Sequence, residues 1–177
     1  MDSNLIFKSL GYLKPARGRM EVLSETKNKA LVIIDYAHTP AALKSALKSI
    51  QEIIGRERII TLFGCGGDRD KNKRKIMGEI AYEYSDIVIV TDDNPRNEIP
   101  SNIRSEILSG CPSATEIPNR DKAIKYAVSL LKKNDLLLIA GKGHETFQAV
   151  GIETLPFDDY TVAKEAIKNI EKSGIIN

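Results

Sequence analysis

The chain has 177 residues, room for one compact domain, and with 42% hydrophobic and 28% charged residues it is too apolar to be disordered. Its 26 lysines and arginines against 24 aspartates and glutamates leave a formal net charge of +2, which gives no electrostatic case for a nucleic-acid partner. No apolar run reaches bilayer length and no apolar signal core opens the chain, while Cys65 and Cys111 lack CxxC or zinc-type spacing. Neither a membrane partner, a disulfide framework nor a metal site is therefore expected, and a reducing cytoplasm fits.

Residues 1–17, interrupted by Gly11 and Pro15, read as a linker or the tail of an upstream domain, and 18–177 as the domain proper. Arg19 to Leu23 and Ala30 to Ile34 read as strands around a polar turn, Ser24 to Lys29. Three further apolar runs, Ile59 to Phe63, Ile87 to Val90 and Leu136 to Ile139, are continuous rather than alternating, as strands buried on both faces are.

Helical patterns lie between them. Thr39 and Pro40 pair as N-cap and first turn, ahead of an apolar stripe at Leu43, Ala46, Leu47, Ile50, Ile53 and Ile54 that Gly55 ends. A second helix places Ile76, Met77, Ile80, Ala81 and Tyr84 inward. A third follows Pro100 with Ile103, Ile107 and Leu108 inward, and a fourth starts near Asn119 with Ala123, Ile124, Ala127, Leu130 and Leu131 inward. A last one follows Thr161 and buries Val162, Ala163, Ala166, Ile167 and Ile170. The alternation predicts an α/β fold, Rossmann-like, with a mostly parallel sheet and helices on both faces.

The chemically unusual residues share one place in this scheme. The runs Asp35 to Pro40, Gly64 to Asp70, Thr91 to Arg96 and Ala140 to Glu145 each begin just past the carboxyl end of a predicted strand, the edge where open α/β sheets bind ligands. Gly64, Gly66 and Gly67 make either a tight turn or, with Arg69, a pocket of backbone N–H groups for an anion. His38 serves either as a helix-start group or as a ligand contact. Asp92, Asp93 and Asn94 before Pro95 suffice as a turn signal but leave Arg96 unexplained. Lys71, Lys73, Arg74 and Lys75 are read as a solvated helix start, Tyr36, Phe147 and Tyr160 as packing residues, and Cys65 as a small buried group. No complete dinucleotide fingerprint or phosphate loop is present: Arg69 stands where the first needs glycine, and Leu136 and Gly143 break the second.

Five landmarks in order, Gly18 to Val22, Asp35 to Pro40, Gly64 to Asp70 with Lys73-Arg74, Asp93 to Arg96, and Gly141 to Glu145, give a further reading. From about Gly18 to Ile170 the sequence resembles the C-terminal domain of the Mur ligases, and among them those that add meso-diaminopimelate during peptidoglycan synthesis. The resemblance implies a three-domain enzyme in which ATP and Mg²⁺ are held mainly by a central domain, a UDP-N-acetylmuramoyl-dipeptide carboxylate is activated as an acyl phosphate, and the last domain brings the amino acid. The chain matches only that last domain, so no catalytic residue is assigned within it, and these residues alone are expected to be inactive.

The resemblance implies a meso-diaminopimelate site at Arg69, Asp93, Asn94, Pro95, Arg96, Gly141 and Glu145, with Arg19, Asp35 and His38 near the nucleotide. The chemistry agrees: a planar guanidinium at Arg96 can clamp the second carboxylate of meso-diaminopimelate, and Glu145 with the Gly141 carbonyl can receive its second ammonium. Lysine lacks that carboxylate and would leave the guanidinium unpaired, at about 2–5 kcal/mol. Two alternatives remain at this level: an amino-acid-binding module without catalysis, and a related ligase such as a folylpolyglutamate synthetase.

Overall fold

The computed structural model describes residues 16–26, 29–53 and 57–173. Thus 1–15, most of the expected linker, lie outside the described residues, as do Ile54 and Gly55 of the first helix stop.

The elements run β1 Glu21–Glu25, β2 Leu31–Asp35, α1 Pro40–Gln51, β3 Ile59–Phe63, α2 Asn72–Tyr84, β4 Ile87–Val90, α3 Pro100–Leu108, β5 Thr115–Glu116, α4 Arg120–Ser129, β6 Leu136–Ala140, β7 Phe147–Val150, β8 Glu153–Pro156 and α5 Asp159–Ser173. Six strands form one sheet in the order β1-β2-β6-β3-β4-β5; β1 pairs antiparallel to β2 and every other neighbour is parallel. β6 therefore sits between β2 and β3, and the loops that leave these strands at their carboxyl ends border one crevice.

The continuous apolar strands bury both faces. Ile33, Phe63, Val88, Val90, Leu136 and Leu138 pack under α1, α2 and α3, while Val32, Ile34, Ile60, Leu62, Ile89, Leu137 and Ile139 pack under α4 and α5. On α1 the Thr39 hydroxyl accepts the Ala42 amide at 3.3 Å and Pro40 occupies the first turn, so the helix starts where its stripe of Leu43, Ala46, Leu47 and Ile50 meets the sheet. Truncating the fully buried Leu47 to Ala costs about 2–5 kcal/mol through lost transfer energy and a residual cavity.

The structure corrects several sequence readings. β1 starts at Glu21, not Arg19, because Gly18 (φ +70°) and Met20 (φ +43°) turn the chain while the Met20 amide donates to Asp35. α5 starts at Asp159, capped by the Asp158 carboxylate, which accepts from the Tyr160 amide and the Thr161 hydroxyl. Ile76, expected inward, is 44% exposed, whereas Arg74, expected in a solvated face, is fully buried. The inward face of α2 carries Arg74 and Gly78 beside the expected Met77, Ile80 and Ala81, and the Arg74 guanidinium is paired by Glu98 (2.9 Å) and Glu106 (2.9 Å). β5 and the β7–β8 hairpin had no sequence-level counterpart.

Candidate functional site

At the carboxyl edge of the sheet lies a cleft of about 610 Å³, lined by all four of the loops singled out in the sequence. Its walls include Tyr36 and His38 after β2, Gly64, Gly66 and Arg69 after β3, Asp93, Asn94 and Arg96 after β4, and Gly141 and Glu145 after β6. Arg96 and Glu145 therefore open onto one space.

Close backbone approach makes this possible. A Cβ on Gly67 would lie 1.9 Å from the Pro95 carbonyl oxygen, so only glycine lets the β3 and β4 loops touch; the Gly67 amide donates to the Asn94 carbonyl at 2.9 Å. Gly141, at φ +112°, would carry a Cβ 2.7 Å from an Asp93 carboxylate oxygen.

The β4 loop is held from three sides. Its Arg96 adopts φ +50°, a left-handed conformation costly for a residue with a Cβ. The β7 strand compensates: the Arg96 amide donates to the Ala149 carbonyl (3.1 Å), the Arg96 carbonyl accepts the Gly151 amide (2.7 Å), and the Gln148 carboxamide donates to the Asp93 carbonyl. The Arg96 guanidinium donates through one nitrogen to the Gly67 carbonyl at 2.8 Å, and among the described residues no carboxylate pairs with it. Beneath the loop, Arg120 and Asp159, both fully buried, form a two-pronged ion pair at 2.7 Å on each side, and Arg120 also donates to the Ala140 carbonyl at 3.0 Å.

Glu145 is tied by one oxygen. Its Oε2 accepts from Asn94 Nδ2 (2.9 Å) and Lys142 Nζ (3.1 Å). Lys142 is fully buried and was not singled out by its chemistry in the sequence, where only its flanking glycines drew notice.

The opposite wall is looser. His38 Nδ1 lies 2.8 Å from the Tyr36 carbonyl, so in the neutral ring that nitrogen carries the proton. Tyr36 packs its ring against His38 (4.5 Å) and His144 (5.0 Å), with the Arg19 guanidinium 5.2 Å away. Lys73, expected as solvated, lines the cleft and donates to the His38 carbonyl at 2.8 Å; among the described residues Arg69 bonds only to the neighbouring Asp68 carbonyl.

Of the sequence candidates, Arg69, Asp93, Asn94, Arg96, Gly141, Glu145 and His38 line the cleft. Pro95, Asp35 and Arg19 do not. Pro95 is buried behind the loop, and Asp35 spends its two oxygens on the Met20 and Ala37 amides, holding the β1 entry against the β2 loop. Cys65 is buried, which pushes its thiol up to about 12 and leaves no nucleophile there. Among the described residues there is no group of His, Cys, Asp and Glu that could hold a metal ion, and no helix is long and apolar enough to cross a membrane.

Comparison with known proteins gives this geometry a context. Residues 18–143 match the family model for the Mur ligase, glutamate ligase domain. The chain is 52% identical over 168 residues to the UDP-N-acetylmuramoyl-L-alanyl-D-glutamate–2,6-diaminopimelate ligase of Agrobacterium fabrum strain C58, covering 95% of this chain and 34% of that protein. It is 49% identical to the ligase of the same name from Rickettsia felis, covering 93% of this chain and 31% of that protein. The chain thus spans about a third of the length of the curated relatives it matches. A solved structure of a diaminopimelate ligase of this name superposes with a TM-score of 0.81 at 35% identity, over 97% of this chain and 35% of that one. The Thermotoga maritima UDP-N-acetylmuramate–alanine ligase shares the fold, with a TM-score of 0.62 at 18% identity, over 96% of this chain and 36% of that one. By its matched domain and these likenesses in sequence and structure, the chain belongs to the Mur ligase family and carries that family's glutamate ligase domain.

Proposed function

We propose that this chain is the amino-acid-binding part of an ATP-dependent ligase that joins meso-diaminopimelate to UDP-N-acetylmuramoyl-L-alanyl-D-glutamate. The observation that carries the reading is the placement, in one cleft, of a guanidinium at Arg96 with no carboxylate partner among the described residues and a carboxylate at Glu145 with one oxygen unbonded among them. A zwitterionic centre at the far end of an amino acid, one carboxylate and one ammonium, satisfies both at once.

In this reading Arg96 receives the far carboxylate, and Glu145 with the Gly141 carbonyl receives the far ammonium. Arg69 meets the ligand's other carboxylate, which leaves the near amine toward the cleft mouth as the nucleophile. Asp93, Asn94 and Pro95 shape the loop that presents Arg96. Arg19 and His38, gathered around Tyr36, face the nucleotide, and Asp35 holds their loop in place. ATP with Mg²⁺ supplies activation of the acceptor carboxylate; the described residues offer no carboxylate cluster for the ion and the sequence no complete phosphate loop, so that chemistry is assigned outside these residues.

Calorimetric titration of the chain with meso-diaminopimelate, L-lysine and ATP separately tests this. Binding of meso-diaminopimelate, weaker binding of L-lysine and none of ATP is the expected result. Equal affinity for the two amino acids would refute the specificity, and absence of any amino-acid binding would refute the assignment.

A further inference from the structure

We infer that Lys142 is a positioning and specificity-determining residue: its buried ammonium aims the free oxygen of Glu145 at the ligand's far ammonium. The inference rests on the amino-acid-binding reading above and adds a residue that does not itself line the cleft.

Lys142 is fully buried, and an ammonium out of water is retained only where several acceptors surround it. Here the acceptors are Asn94 Oδ1 at 2.9 Å and Glu145 Oε2 at 3.1 Å, with the Phe147 ring centroid 5.7 Å away. A structural cation would meet its acceptors in the core, but both of these belong to side chains that line the cleft.

The Asn94 carboxamide gives the arrangement its direction. Two donors converge on its Oδ1, Lys142 Nζ and the Ala149 amide at 3.0 Å. Two donors on one atom can only mean an oxygen, so Nδ2 must point the other way, to Glu145 Oε2 at 2.9 Å. Asn94, Lys142 and Glu145 close a triangle in which Oε2 accepts twice, while Oε1 makes no bond to the described residues. The side chain of Glu145 is 21% exposed and lines the cleft, where Oε1 is the oxygen left for a ligand.

Without the Lys142 charge the triangle loses its centre. Asn94 Oδ1 then keeps only the Ala149 amide, Glu145 loses one of the two bonds that fix its torsions, and a more mobile carboxylate must be ordered at the moment of binding. The penalty falls on ligands that use Glu145. A ligand with the far carboxylate but no far ammonium, L-2-aminopimelate, depends on Arg96 and is nearly blind to Lys142.

The experiment measures calorimetric affinities of the whole chain for meso-diaminopimelate and L-2-aminopimelate, in wild type, Lys142→Met and Lys142→Gln, with thermal melting of each. Wild type should prefer meso-diaminopimelate. Lys142→Met should weaken meso-diaminopimelate by about tenfold or more and L-2-aminopimelate by less than about threefold, as expected when one partner of a buried charged hydrogen bond is removed. Lys142→Gln, which keeps a donor toward Asn94, should fall between. If both ligands weaken together, or the preference is unchanged, Lys142 does not aim Glu145 and the inference is overturned. Loss of cooperative melting in both variants would make Lys142 a support of the fold and also overturn it. A wild-type chain that binds neither ligand would refute the amino-acid-binding reading itself, a separable result.

Discussion

The two walls of the cleft are built on different principles. On the β4 and β6 side the side chains near the ligand space are held in place: Asn94 is 3% exposed and uses both ends of its carboxamide, Arg96 is fixed by β7 at φ +50°, and Arg120 with Asp159 underpins the loops. On the β2 and β3 side His38, Thr39, Arg69 and Asp70 are exposed, and Lys73 at the start of α2 bonds to the His38 carbonyl. The first wall has the rigidity needed to read a small ligand without ordering cost at binding; the second has the freedom needed to meet something that arrives later. In the proposed function the first wall meets the amino acid's far end, and the second meets its near carboxylate through Arg69 and the nucleotide through the β2 loop.

The largest effect should come from the support of the held wall. Asp159→Ala leaves the Arg120 guanidinium buried and unpaired beneath Ala140 and Asp92, and should cost about 3–5 kcal/mol of stability in urea unfolding. A loss below about 1 kcal/mol, the range of a surface pair, would mean the wall does not depend on it.

Next comes Arg96. Arg96→Ala should weaken meso-diaminopimelate by about 2–4 kcal/mol and L-lysine far less, read by titration, because only the former presents a second carboxylate. Arg96→Lys should rescue poorly, since a point charge does not reproduce two parallel hydrogen bonds. The backbone adds a second signature. Arg96→Gly should be more stable than Arg96→Ala by about 1 kcal/mol, because φ +50° penalises any Cβ. Glycine more stable than alanine but equally poor at binding would mark a strained residue kept for its side chain.

A smaller effect depends on pH and reports on the junction between the walls. Glu98 receives both arms of Arg74, and also the Asp68 amide at 2.6 Å, so Arg74 holds its carboxyl far below the usual range, at about 2. A depressed folded value means its contribution is complete above the ordinary value of about 4.5 and drains away as pH falls toward about 2. Melting temperature should drop across that window in wild type and less steeply in Glu98→Gln. Parallel curves would place the acid sensitivity elsewhere.

Much of this was legible in the sequence because two signals are strong. Continuous Ile- and Val-rich runs mark strands covered on both faces, and the polar motifs sit just beyond them, so the shared edge follows from topology. What escaped depended on long-range partners. Arg74 looks solvated beside three lysines, and nothing local announces that Glu98 and Glu106 wait for it. Lys142 looks like one residue of a glycine corner until Asn94, distant in sequence, is folded against it. The β7–β8 hairpin has short strands with exposed side chains, Leu155 among them, and so no burial pattern to read, yet it fixes the backbone of Arg96.

The smallest effect belongs to the looser wall. Lys73 donates a single exposed hydrogen bond to the His38 carbonyl and pairs with no carboxylate among the described residues. An exposed bond of this kind competes with water on equal terms, and fixing a long lysine side chain consumes most of what it gains. Lys73→Ala should therefore shift stability by no more than about 0.5 kcal/mol, the range of an ordinary surface substitution. Its affinity for meso-diaminopimelate should change less than that of Arg96→Ala, because Lys73 bonds to the β2 loop, which is assigned to the nucleotide. Urea unfolding and titration of the two variants side by side measure both quantities. A Lys73→Ala variant as unstable as Asp159→Ala, or as poor at binding as Arg96→Ala, would show that the two walls form one rigid unit, and the division of labour between them would have to be abandoned.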